Sequence, residues 1–145
     1  MRIALLKGGQ ALESMAEGAQ QLMDTVGTTL GPAARASVIL TNDFRHRQGW
    51  SNLGSLFTKD GAELSENFTV QDPFQQAAIG LIREAATQTQ AMVGDGTTAT
   101  VILAASIFIE AAKLVAAGHV PIAVVKGIRR GALKAARFVS ALHSN

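Results

Sequence analysis

The sequence predicts a mainly α fold, a helical bundle with a small β-hairpin element near its front. Three observations carry this. Four long stretches repeat apolar residues at three- and four-residue spacing, the period of an amphipathic helix. Strong helix-start and helix-stop residues bracket them. Only two short apolar runs, Ser37-Val38-Ile39-Leu40-Thr41 and Leu56-Phe57-Thr58, read as strands.

Taken in order, residues 10–26 form the first helical pattern, with Leu12, Met15, Ala16, Ala19, Leu22, Met23 and Val26 on one face. Gly27 opens a turn through Thr28-Thr29-Leu30-Gly31-Pro32, and the first strand follows. Residues 42–55 are polar, carry Gly49 and Gly54, and read as a loop. The second strand ends at Lys59-Asp60-Gly61, because Asp-Gly is a strong turn signal. Asp72-Pro73-Phe74-Gln75 is a helix start: Asp as N-cap, Pro where the N–H has no partner, and Gln in the capping-box position. This second helix runs to about Met92 with Phe74, Ala78, Leu81, Ala85 and Met92 facing inward. The third begins at Thr97 or Thr98, carries the stripe Val101, Ala104, Ala105, Phe108, Ala112 and Val115, and stops at Gly118. Pro121 starts a fourth with Val124, Val125, Ile128, Ala132, Ala135 and Val139 on one side. Gly127 and Gly131 are spaced for close contact with another helix.

Composition sets the limits. A chain of 145 residues with 48% hydrophobic content makes one domain with an aliphatic core. Mean hydropathy of +0.21 is high and implies faces buried against further protein. The apolar run 99–109 is broken by Glu110 and Lys113, short of the ~20 residues of a membrane span, so no membrane is expected. With no cysteine, disulfides, zinc-thiolate sites and thiol catalysis are excluded, and a cytoplasmic location is the default. The N-terminus turns polar too soon for a secretory signal. The net charge of +2 is uneven: after Glu110 no acid follows, while Lys113, Lys126, Arg129, Arg130, Lys134 and Arg137 do. A nucleic-acid surface is one reading. No aromatic residues interleave with these charges, so a solvated or subunit-facing helix side is preferred.

Gly94-Asp95-Gly96-Thr97-Thr98-Ala99-Thr100 holds the densest chemistry. The first N–H groups of a helix lack internal partners and carry partial positive charge, which suits phosphate oxygens. Asp95 adds a hard oxygen ligand for magnesium. A plain turn with a threonine cap is the alternative. The loop is no Walker motif, since no Lys follows its second glycine, and no dinucleotide fingerprint, since its third glycine is missing. Thr29 to Pro32 and Lys59 to Gly61 are two more glycine-bearing loops. Together the three supply backbone donors, two acids and a lysine, a set suited to a phosphate chain with its cation.

These three loops, in this order and spacing, resemble the nucleotide-binding loops of the group I (GroEL-like) chaperonins. Gln71-Asp72-Pro73-Phe74, Ala116-Ala117-Gly118-His119-Val120-Pro121 and Lys126-Gly127-Ile128 extend the resemblance, which covers about 10–139. It implies a ring-forming ATPase that folds other proteins. Residues 1–145 would correspond to a partial equatorial, ATP-binding domain, with the apical and intermediate domains absent. ATP and Mg2+ are the implied cofactors. Thr29, Leu30, Gly31 and Pro32 would line the nucleotide, while Lys59, Asp60 and Gly61 would approach the γ-phosphate. Asp60 would position the attacking water, Asp95 would hold magnesium, and Gly94, Gly96, Thr97 and Thr98 would cradle phosphates. Other chaperonin subunits are the implied partners, with unfolded polypeptides bound through domains not present here.

This sequence departs from the family pattern. Ala99 stands where a third consecutive Thr is usual, and Ala33-Ala34-Arg35 replaces a Lys-Gly-Arg run. The loop 42–55 is longer than usual and holds Arg45, His46, Arg47 and Trp50; in the family this hairpin reaches a neighbouring subunit. A second catalytic acid belongs to a C-terminal part outside these 145 residues. Two functions therefore stand: an ATP-binding chaperonin segment, and a truncated non-enzymatic module that binds or modulates other subunits.

Overall fold

A computed structural model describes residues 8–32, 34–41 and 54–143, and the statements below concern those residues. Their elements are α1 (Gly8–Gly27), β1 (Ser37–Thr41), β2 (Gly54–Thr58), α2 (Gly61–Asn67), α3 (Pro73–Val93), α4 (Thr97–Ala116) and α5 (Pro121–His143). The fold is mainly helical, as expected. β1 and β2 pair antiparallel, with Ser37 opposite Thr58 and Thr41 opposite Gly54. The residues joining them, including His46 and Trp50, lie outside the described set, so the hairpin is described only as two paired strands.

The core is a three-helix packing of α1, α3 and α4, closed at one end by α2. Ala19, Leu22 and Val26 of α1 meet Ile79, Ile82 and Ala86 of α3 and Val101 and Ala105 of α4, with Leu64 of α2. Gly18 lets α1 and α3 touch: a Cβ there would lie 2.7 Å from the Gln75 backbone. Burying a large aliphatic side chain contributes about 1.5–3 kcal/mol, so these contacts are a main source of stability.

Helix α2 was not anticipated. The sequence predicts a turn at Asp60-Gly61, but Asp60 is an N-cap whose Oδ1 accepts from the Ala62 N–H at 2.8 Å. Asp is favoured both in turns and at caps, so the dipeptide alone does not distinguish them. Arg83 of α3 reaches over the other end of α2. Its Nε donates to the Ser65 carbonyl at 2.9 Å and an Nη to the Phe68 carbonyl at 2.7 Å. Burial lowers its pKa, opposed by the nearby Glu66.

The inward face of α3 differs from the expected one. Ala78, Ile79, Ile82 and Ala86 are buried, whereas Leu81 is 61% and Met92 85% exposed. Both sets satisfy helical spacing; the β-branched pair Ile79 and Ile82 fills the core, and the stripe is turned by about one residue.

Helix α4 ends in a Schellman motif. Gly118 adopts φ +97°, its N–H donates to Val115 O at 3.0 Å, and that of His119 donates to Leu114 O at 3.1 Å. Contrary to the sequence expectation, α4 is long and apolar enough to cross a membrane by length and composition. Glu110 and Lys113, the charged residues of this helix, pair with each other at 2.6 Å on its exposed side. Its Val101, Ala105 and Ala112 are buried, the stripe of a core helix packed on α1 and α3.

Helix α5 follows the expected range, but beyond its first turns against α4 its stripe is uncovered among the described residues. Val124 and Ile128 are half-buried, and residues 129–142 are exposed, Phe138, Val139 and Leu142 among them. Nothing lies within 4 Å of a Cβ built on Gly127 or Gly131, so the expected close helix contact is not made among the described residues.

Candidate functional site

The three glycine loops meet at the end of the bundle where α3 turns into α4. Each has its own local cause. After α1, the Thr29 hydroxyl donates to Val26 O at 2.7 Å, and Gly31 takes φ +86°. Between β2 and α2, the Asp60 N–H donates to Thr58 Oγ1 at 2.9 Å while its carboxylate caps α2. Between α3 and α4, Gly94 (φ +77°) ends one helix and Gly96 (φ +84°) begins the next. A left-handed backbone at both positions suits glycine. Asp95, between them, accepts the Gly96 N–H on Oδ1 at 2.6 Å, and its second carboxylate oxygen makes no hydrogen bond.

A cleft of about 370 Å³ opens there, lined by Leu30, Asp60, Ala62, Gln90, Gly94, Asp95, Gly96, Thr97, Thr98 and Ala99. Leu30, Asp60, Gly94, Asp95, Gly96, Thr97 and Thr98 are thus brought together as the sequence suggested. Thr29, Gly31, Pro32, Lys59 and Gly61 are not on the cleft wall. Gly61 and Thr29 instead support it: a Cβ on buried Gly61 would collide with the Thr98 hydroxyl and lie 2.8 Å from Thr29 Oγ1. Lys59 is exposed.

The start of α4 is open. Its cap residue is a glycine with no side-chain hydrogen bond, and Thr100 is the first residue whose N–H returns to the cap, at 2.9 Å to Gly96 O. The N–H groups of Thr97, Thr98 and Ala99 are therefore left for something in the cleft. Ala99 brings no hydroxyl. Thr100 does not replace it, because its Oγ1 donates across to Thr89 Oγ1 at 3.2 Å.

The donor set fits a magnesium-bound phosphate chain. No cluster of three His, Asp or Glu side chains exists among the described residues. Asp95 is of the type that would hold Mg2+ when phosphates complete its shell, and Asp60 lines the same cleft.

The sequence reading missed two cleft residues. Ala62 follows from the unanticipated α2. Gln90 is a polar residue one helical turn before Gly94, and that position was the available signal.

Comparison with known proteins agrees with this geometry. Residues 22–145 match the profile of the TCP-1/cpn60 chaperonin family. The RuBisCO large subunit-binding protein subunit beta, chloroplastic, of Pisum sativum is 33% identical over 124 residues, 86% of this chain and 19% of that protein. The chain belongs to the TCP-1/cpn60 chaperonin family. Within it, the three loops resemble those of the group I type. It spans about one-fifth of the length of that relative.

Proposed function

We propose that these residues are the ATP-binding segment of a chaperonin, the N-terminal part of its equatorial domain, serving ATP-dependent protein folding in a ring oligomer. The single observation that carries this is the open start of α4, facing a cleft that also holds Asp60 and Asp95. The phosphates would lie on the N–H groups of Thr97, Thr98 and Ala99, where the helix end is positive. Asp95 would hold Mg2+, which when bound neutralises phosphate oxygen charge. Asp60 keeps one carboxylate oxygen on its cap, leaving the second to orient a water. Leu30 offers apolar contact to the nucleotide. Thr29, Gly31, Pro32, Lys59 and Gly61 belong to the supporting loops of the site. Such a site works by positioning and electrostatics. The partners would be further subunits and, through other domains, unfolded polypeptides. A cysteine-free chain suits the reducing cytoplasm.

Calorimetric titration with ATP and Mg2+ tests this. Saturable, magnesium-dependent heat is expected; no heat at millimolar nucleotide overturns a self-sufficient site. Ala99 favours a second reading, a non-enzymatic module that binds or modulates other subunits. Mixing with a full-length chaperonin and measuring ring ATPase tests it; an unchanged rate with no co-elution overturns it.

A further inference from the structure

We propose that Gln90 is a positioning residue for the α3–α4 loop, and that it turns the Thr97 hydroxyl into an acceptor toward the cleft; this rests on the nucleotide reading above. Gln90 Nε2 donates to Gly94 O at 3.3 Å, and Gln90 Oε1 accepts from Thr97 Oγ1 at 2.8 Å. One amide thus ties both ends of a loop whose two glycines sit at positive φ. The loop's own backbone adds a single cross-link, Gly94 N–H to Gln90 O at 2.9 Å.

The hydrogen-bond directions follow from chemistry. A backbone carbonyl only accepts, so Gly94 O fixes the amide with Nε2 toward it and Oε1 toward Thr97. Oε1 also only accepts, so Thr97 must spend its hydroxyl proton on Gln90. What Thr97 offers the cleft is then its remaining lone-pair capacity. A phosphate oxygen, itself an acceptor, gains nothing from that group. A cation, or a water bound to one, does. Gln90 thereby divides the labour at the start of α4: backbone N–H groups face the phosphate, and the Thr97 oxygen joins Asp95 on the cation side.

Gln90→Ala and Gln90→Glu test this in the 145-residue chain. Glu keeps the acceptor for Thr97 but loses the donor to Gly94. Amide exchange by NMR reads the loop without nucleotide: Gly94, Gly96 and Thr100, whose N–H groups are hydrogen-bonded, are expected to exchange several-fold faster in Gln90→Ala, with the melting temperature little changed. Unchanged exchange overturns the positioning role. ATP titrations with Mg2+ and with EDTA read the hydroxyl. Gln90→Ala is expected to weaken Mg-ATP about tenfold and metal-free ATP less than twofold, and Gln90→Glu to recover part of the magnesium dependence. Equal loss in both conditions overturns the cation assignment. If the unaltered chain binds neither form, the nucleotide reading fails, and with it the cation assignment, while the exchange data still decide the loop.

Discussion

Two helix starts, those of α3 and α4, lie at opposite ends of the bundle and are built in opposite ways. At α3, Asp72 Oδ1 accepts from the N–H groups of Phe74 and Gln75, both at 2.9 Å, and from the Ser14 hydroxyl of α1 at 2.8 Å. Proline at the first position removes one more donor. Gln75, expected to close a capping box, instead donates to Glu17 of α1 at 3.2 Å. At α4 a glycine caps, nothing closes the ring of N–H groups, and the nearby carboxylates face a cleft. A helix end that the protein needs only for architecture is satisfied from within. The start of α4 is left unsatisfied beside two acids on one cleft, and on the function proposed above it takes a ligand.

The largest test of this contrast is Gly61→Val. The open end keeps its shape because Gly61 lets the three loops converge on the Thr29 and Thr98 hydroxyls. Overpacking there is expected to cost about 3 kcal/mol, read by urea unfolding, and to abolish nucleotide binding. Asp95→Asn comes next. It should weaken Mg-ATP about tenfold by calorimetry and leave the melting temperature almost unmoved, the reverse of any change at α3.

Ala99→Thr sharpens the comparison from the other side. Restoring one hydroxyl at the open end is expected to tighten Mg-ATP about fivefold, the worth of a hydrogen bond of about 1 kcal/mol. Asp72→Ala, at the closed end, should lower the melting temperature by about 3–6 °C by circular dichroism and leave nucleotide affinity unchanged. Asp72 also predicts an acid limb. The Gln75 N–H, then the Ser14 hydroxyl and the Phe74 N–H, hold its carboxyl below the usual range against the opposing effect of burial. Its contribution is complete above the unfolded value of about 3.9 and fades as pH falls through the lower folded value. Asp72→Asn should flatten stability against pH in that window and nowhere above it.

The contrast also separates what was legible in the sequence from what was not. Asp72-Pro73 and Gly94-Asp95-Gly96 announce themselves, since caps and left-handed glycines are local events with local residue signatures. The bundle and most helix limits followed from periodicity for the same reason. The face of α3 did not, because Leu81 and Ile82 are equally apolar and only the partner helices choose between them. Helix α2 was hidden by the double meaning of Asp-Gly. Gln90 was hidden because an exposed glutamine gains a role only from the carbonyl and hydroxyl that the fold brings beside it. On α5 the helix follows from the pattern, but a stripe states a need for cover without supplying it, and most of this one is exposed.

The Arg83 clasp on α2 has a consequence for how the cleft comes into being. Its bonds span 18 and 15 residues, whereas the Ser106 hydroxyl of α4 reaches Met23 of α1 across 83. Closing a short loop forfeits less chain entropy than closing a long one. The wall carrying Asp60 is therefore expected to assemble on α3 early in folding, before α1 and α4 find each other. In such an order of events Asp60 of the cleft wall is in place while the core is still forming, and slow association of α1 with α4 sets the pace for the rest.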